Sequence, residues 1–100
     1  MTELRLSVAA RADLQAVQDE GVEGFGVAAA RKHMAGFDHV FALLREHPFA
    51  GRQRPEHGAT LRSFSHRPHV VLYVVHEQRV TIARILHHRR DLRAALSESM

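Results

Sequence analysis

The run Val70-Val71-Leu72-Tyr73-Val74-Val75 does more than any other stretch to limit how this chain can fold. Its six apolar residues fall far short of the ~20 that a membrane-spanning helix needs and read as a β-strand. Alternate side chains of a strand point to opposite sides, so Val70, Leu72 and Val74 make one apolar face and Val71, Tyr73 and Val75 the other. A strand apolar on both faces lies inside its sheet and is covered, at least in part, from both sides. That cover has to come from a chain of only 100 residues. The length fits a single domain over residues 1–100, large enough to bury a core without metal or cross-link. An apolar share of 45% with 25% charged residues is globular rather than disordered.

The rest of the chain divides cleanly. Leu4, Leu6 and Val8 alternate with Arg5 and Ser7, which predicts a short opening strand. From about Ala9 a helical pattern follows: Leu14, Val17, Gly21 (or Val22) and Phe25 share one face, with Arg11, Asp13, Asp19 and Glu20 opposite. Gly21, Gly24 and Gly26 should fray or end this helix. Ala30, Met34, Phe37, Phe41 and Leu44 then form a stripe predicting a second helix over Val27 to Glu46, stopped at His47-Pro48. Two helices joined so briefly form an antiparallel hairpin, and the stripe fits the chain's own core better than a dimer seam.

Residues 47–59 read as a loop, with Pro48, Gly51, Pro55 and Gly58. Strands are expected at about Thr60–His66, His69–His76 and Arg79–His87, separated by Arg67-Pro68 and Glu77-Gln78, and a last helix at about Arg89 to Leu96. Strict alternation in the third of these strands would set Arg84 on the face of Val80, Ile82 and Leu86, where it could pair with a carboxylate such as Asp91. The expected fold is α+β: an N-terminal strand, an antiparallel helical hairpin, a three-stranded antiparallel meander and a short C-terminal helix.

Several chemistries find little support. There is no cysteine, which removes disulfides and thiol chemistry and fits a reducing cytoplasm. No signal-peptide pattern follows Met1, so a soluble cytoplasmic protein without membrane contact is expected. The serines lie in no nucleophile-elbow context and no phosphate-binding glycine loop is present, so no cofactor is expected. His76, His87 and His88 are a conceivable zinc set, but their spacing is poor and no metal is expected.

Charge is more telling. The net charge of +3 conceals a balance of −2 in residues 1–50 and +5 in residues 51–100, where nine arginines and six of the nine histidines fall. Such clustering suits an acidic partner. Arg62, Arg67, His69, Arg84, His87, Arg89, Arg90 and Arg93 lie on or beside the predicted sheet. Acid–base cleavage of RNA could draw on Arg84, His87, Arg62 and Tyr73. Equally, Tyr73 can be core and the arginines solvated or paired.

The stretches Leu61-Arg62-Ser63-Phe64, Arg67-Pro68-His69-Val70-Val71-Leu72-Tyr73 and Val80 to Asp91, with Leu6 to Leu14 and His47 to Arg52, resemble the ParE group of the RelE/ParE toxin superfamily over residues 4 to 93. That resemblance implies the toxin of a type II toxin–antitoxin pair, a plasmid-stabilising device, which inhibits DNA gyrase by binding and is neutralised by a ParD-like antitoxin in a hetero-oligomer. The related RelE toxins instead cut messenger RNA on the ribosome. Their sheets tend to carry several lysines and a catalytic tyrosine or histidine near the C-terminus. This chain has one lysine, Lys32, and no tyrosine after Tyr73.

On the ParE reading no residue is catalytic and no sequence-specific nucleic-acid contact is implied. Arg84, His87, Arg89, Arg90 and Arg93 are the candidates for the target, with Met34, Phe37, Phe41, Arg62 and Arg67 for the antitoxin. On the RelE reading Arg84, His87, Arg62 and Tyr73 are the suspects.

Overall fold

A computed structural model describes residues 2–98. It begins with strand β1 (Glu3–Leu6), then helices α1 (Val8–Phe25) and α2 (Val27–Glu46). A two-residue strand β2 (Arg52–Gln53) and a 3-10 turn (Pro55–His57) lead into β3 (Leu61–His66), β4 (His69–His76) and β5 (Arg79–His87), and α3 (Leu92–Glu98) follows. The sheet order is β1-β5-β4-β3-β2. The meander β3-β4-β5 is antiparallel, and β1 adds to β5 in parallel, Leu4 opposite Val80.

The doubly apolar strand sits as its sequence requires. On one face Val71 and Tyr73 pack with Phe37, Val40 and Leu44 of the hairpin. On the other, Val70 and Leu72 pack with Leu61, Leu86 and Ala95, joined by Leu92 and Leu96 of α3. The hairpin covers the first face and the short α3 only part of the second.

Several expectations need correction. The opening strand stops at Leu6, because Ser7 is already the N-cap of α1. Its hydroxyl accepts from the Ala10 N–H at 3.0 Å and donates to the Ala83 carbonyl at 2.8 Å. Helix α1 runs through Gly21 and Gly24 to Phe25, ending only at Gly26. Gly26 has φ 89°, which glycine adopts without strain; its N–H bonds to the Val22 carbonyl and its carbonyl accepts from Ala30, so one residue closes α1 and opens α2. Phe25, on the predicted stripe, is exposed. Helix α3 starts at Leu92, where Asp91 Oδ1 accepts from the N–H groups of Arg93 and Ala94.

The largest correction concerns β5. Tyr73 faces Ile82 and Leu72 faces Arg84, so Ala83 is an extra residue, a β-bulge. The bulge resets the alternation: Val80, Ile82 and Ile85 pack under the hairpin, while Leu86 packs under α3. Arg84 therefore does not share a face with Val80 and Ile82.

Nor does Arg84 pair with Asp91. Its Nε and Nη2 donate to Asp13 at 2.7 and 2.9 Å, and Nη1 donates to the Ala95 carbonyl at 2.8 Å. Asp13 also accepts from the Ile85 N–H at 2.9 Å, on the β5 edge beyond the reach of β1. The pair is almost dry, with side-chain exposures of 8% and 12%.

Removing one partner of such a pair strands the other charge, a loss of about 3–5 kcal/mol. Asp13→Ala should lower the unfolding free energy by that order, and chemical denaturation will show it. An unchanged midpoint would mean that the pair holds nothing together.

Candidate functional site

Three surfaces carry chemistry, and the second and third adjoin at the end of β5, where His87 belongs to both. The first lies where the loop after α2 crosses the sheet. Tyr73 is fully buried; its hydroxyl donates to the Pro48 carbonyl and accepts from the Gly51 N–H, both at 2.8 Å. Burial pushes its pKa up, so it is a poor proton donor to a substrate. Beside it Arg62 Nη1 donates to the carbonyls of Phe49 (3.2 Å) and Gly51 (2.9 Å), with its guanidinium 4.9 Å from the Phe49 ring centre. Gly51 lies so close to the sheet that a Cβ would come within 2.5 Å of the Tyr73 hydroxyl and 2.7 Å of the Ser63 carbonyl. Phe49 itself is exposed.

The second surface is basic and lies beyond the end of β5. Arg89, Arg90 and Arg93 are exposed there, as are His87 and His88. Arg90 forms an exposed ion pair with Glu98 at 2.7 Å. Arg67 lies exposed in the β3–β4 turn, where the His88 N–H donates to the Pro68 carbonyl at 2.8 Å. Desolvation first, then the neighbouring His87, Arg89 and Arg67, disfavour a charge on His88 and lower its pKa.

The third surface is a histidine cluster that sequence reasoning missed. His33 Nε2 lies 2.9 Å from His69 Nδ1, and His66 Nε2 lies 2.9 Å from the His33 carbonyl. The His33 and His66 rings stack at 4.3 Å, and His87 meets His69 edge-on at 5.8 Å. Phe37 closes the cluster from below, 4.6 Å from His66. Gly36 makes room, since a Cβ there would overlap the His66 ring. Burial, then the neighbouring imidazoles, hold His69 down to about 4, and burial lowers His33 as well. A signal was available: His33 stands four residues before Phe37 on the buried stripe, and His66 and His69 flank the predicted turn. Beside the cluster, Val17, Gly21, Phe25, Ala30, Pro68 and His87 help to line an open, mainly apolar groove of about 430 Å³.

The other sequence candidates distribute as follows. Met34 and Phe41 are half-buried on α2, whereas Phe37 is 1% exposed inside the core and has no surface to offer an antitoxin. Arg84 is buried in its pair with Asp13 on the α3 side, the opposite face from Tyr73, so the four ribonuclease candidates do not converge. His76 lies at the β4–β5 hairpin and His87 at the far end of the sheet, so the conceivable zinc set is not assembled. His87 and His88 do not point apart; their rings stack at 4.6 Å.

The profile of the "ParE toxin of type II toxin-antitoxin system, parDE" matches residues 4–92. The chain belongs to the ParE toxin family. It is 36% identical to Toxin ParE3 of Caulobacter vibrioides (strain ATCC 19089 / CIP 103742 / CB 15) over 86 residues, 86% of each protein. A solved chain from the chromosomal ParDE toxin–antitoxin system of P. aeruginosa superimposes with a TM-score of 0.75 at 25% identity. The match covers 87% of this chain and 96% of that one. The α+β architecture is therefore that of a ParE toxin, and no helix among the described residues is long and apolar enough to cross a membrane.

The loop clasp of this ParE chain is directly testable. Tyr73→Phe leaves the Pro48 carbonyl and Gly51 N–H without their partner, at a cost of about 1–3 kcal/mol. Denaturant midpoints should fall accordingly, and cleavage within residues 47–53 by a protease should quicken. Gly51→Ala should be worse, since the new methyl meets backbone; equal stability of both variants to the parent would refute the clasp.

Proposed function

We propose that this ParE chain is a toxin that inhibits DNA gyrase by binding, not by catalysis, and that a ParD-like antitoxin neutralises it in the cytoplasm. The observation that carries the non-catalytic reading is the internal use of Tyr73 and Arg84. The hydroxyl of one and the guanidinium of the other are spent on the chain's own backbone and on Asp13, on opposite faces of the sheet. A ribonuclease site needs such groups converging on one phosphodiester.

The exposed Arg89, Arg90 and Arg93, with His87 beside them, supply the positive surface for the target. Arg84 then serves as a positioning residue, since it holds the Ala95 carbonyl of the helix that carries Arg93. Met34 and Phe41 on the hairpin, with Arg62 and Arg67, are the proposed antitoxin contacts; an acidic, amphipathic segment fits both the half-buried Met34 and Phe41 and the arginines.

A supercoiling assay with gyrase, ATP and relaxed plasmid tests the reading. Folded chain should abolish supercoiling and leave enzyme-linked linear DNA on a denaturing gel. Replacing Arg89, Arg90 and Arg93 together by glutamate should raise the amount needed at least tenfold while the fold persists. Full gyrase activity with excess chain, together with cleavage of ribosome-bound messenger RNA, would move this protein to the RelE class.

A further inference from the structure

We propose that the His33–His69 contact is an acid-sensitive latch: with at least one neutral imidazole it holds the helical hairpin against the β3–β4 turn, and protonation of both rings releases the hairpin and widens the groove beside it. The latch spans two layers of the fold. Two hydrogen bonds, both made by imidazoles, tie α2 to the sheet at this corner: His33 to His69, and His66 to the His33 carbonyl. The groove lies directly alongside, lined by His33, Pro68, His69 and His87.

A hydrogen bond between two imidazoles needs one ring nitrogen bearing a proton and one bare. When both rings are charged, two N–H groups face each other across 2.9 Å, and the bond becomes a repulsion. The surroundings aggravate this. From β3 comes His66, from the turn Arg67, from β5 His87, and after it His88, Arg89 and Arg90; α2 adds Lys32 and His39 at the groove on its other side. Among the described residues, the carboxylates that line the adjoining grooves come from α1. Glu20 is exposed, and Asp13 is engaged by Arg84. Each imidazole that charges therefore works against its neighbours.

The sign follows from the depressed pKa. A released His69 takes a proton near the ordinary 6.5, whereas the latched ring resists until about 4. The latch is at full strength above pH 6.5 and weakens as pH falls from 6.5 toward 4, opening about tenfold more for each pH unit and each proton taken up.

Amide hydrogen exchange at pH 7.5 and pH 5.0, corrected for the intrinsic rate, tests it on the full chain. Protection of residues 29–36 and 66–69 should fall at least tenfold at the lower pH, while residues 71–75 and 82–86 in the core strands keep theirs. His69→Asn, which cannot charge in this range, should abolish the selective loss. An equal loss in both sets, no loss in either, or a selective loss that survives in the variant would overturn the latch. Should the variant fold poorly, imidazole NMR on the parent chain decides: a His69 midpoint well below 6.5 that tracks the loss of protection supports the latch, and any other pattern removes it.

Discussion

Asp13 and Arg84 hold three elements of this fold to one another. Asp13 comes from the first turns of α1, Arg84 from the middle of β5, and the Ala95 carbonyl that Arg84 also engages from α3. The arrangement answers a structural need. Strand β1 pairs with β5 only as far as Ile82, which leaves the Ile85 N–H on an open edge. Asp13 takes that N–H, and a carboxylate so nearly dry needs a cation, which Arg84 provides. The mutual hydrogen bonds in turn push the arginine's pKa up, so the charge is permanent.

The bulge at Ala83 makes this possible. Without the extra residue, Arg84 would lie on the face of Val80 and Ile82, under the hairpin and among apolar side chains. With it, the guanidinium reaches the sheet edge and α3. Ser7 reinforces the same point, since the hydroxyl that caps α1 also holds the Ala83 carbonyl. The start of α1, the bulge and α3 are one connected structure, and that structure sets where the basic C-terminal surface stands.

Away from this corner the sheet is fastened by different means. Tyr73 and Arg62 clasp the loop after α2 through backbone carbonyls, which leaves Phe49 as an exposed aromatic beside a cation. At the opposite end imidazoles replace apolar side chains in tying α2 to the sheet. A neutral imidazole packs against Phe37 nearly as a phenyl ring would, but unlike a phenyl ring it can take up a proton. For a ParE toxin whose surfaces are proposed to bind partners rather than substrates, these fastenings decide which side chains remain outside. Met34, Phe41, Arg67, Arg89 and Arg93 do, at least in part.

The sequence by itself determined the main elements and their order, though not the two-residue β2 and the 3-10 turn inside the expected loop. The doubly apolar Val70–Val75 run demanded a central strand with cover on both faces, and the spacing from Ala30 to Leu44 demanded a long helix to provide part of it. These are local periodicities, and burial enforces them wherever the chain goes. The motifs from Leu6 to Asp91 also carried the resemblance to the ParE group. Only the tertiary structure decided the roles of single polar residues. Period-two reasoning misplaced Arg84, because a one-residue bulge reverses every later side chain and leaves no mark in composition. Asp13, placed by its spacing opposite the apolar face of α1, proved to be the partner of an arginine 71 positions away. His33, His66 and His69 came together only when helix and turn packed face to face. Alternation and helical spacing are set by neighbours along the chain, whereas charge pairs and imidazole contacts are set by neighbours in space.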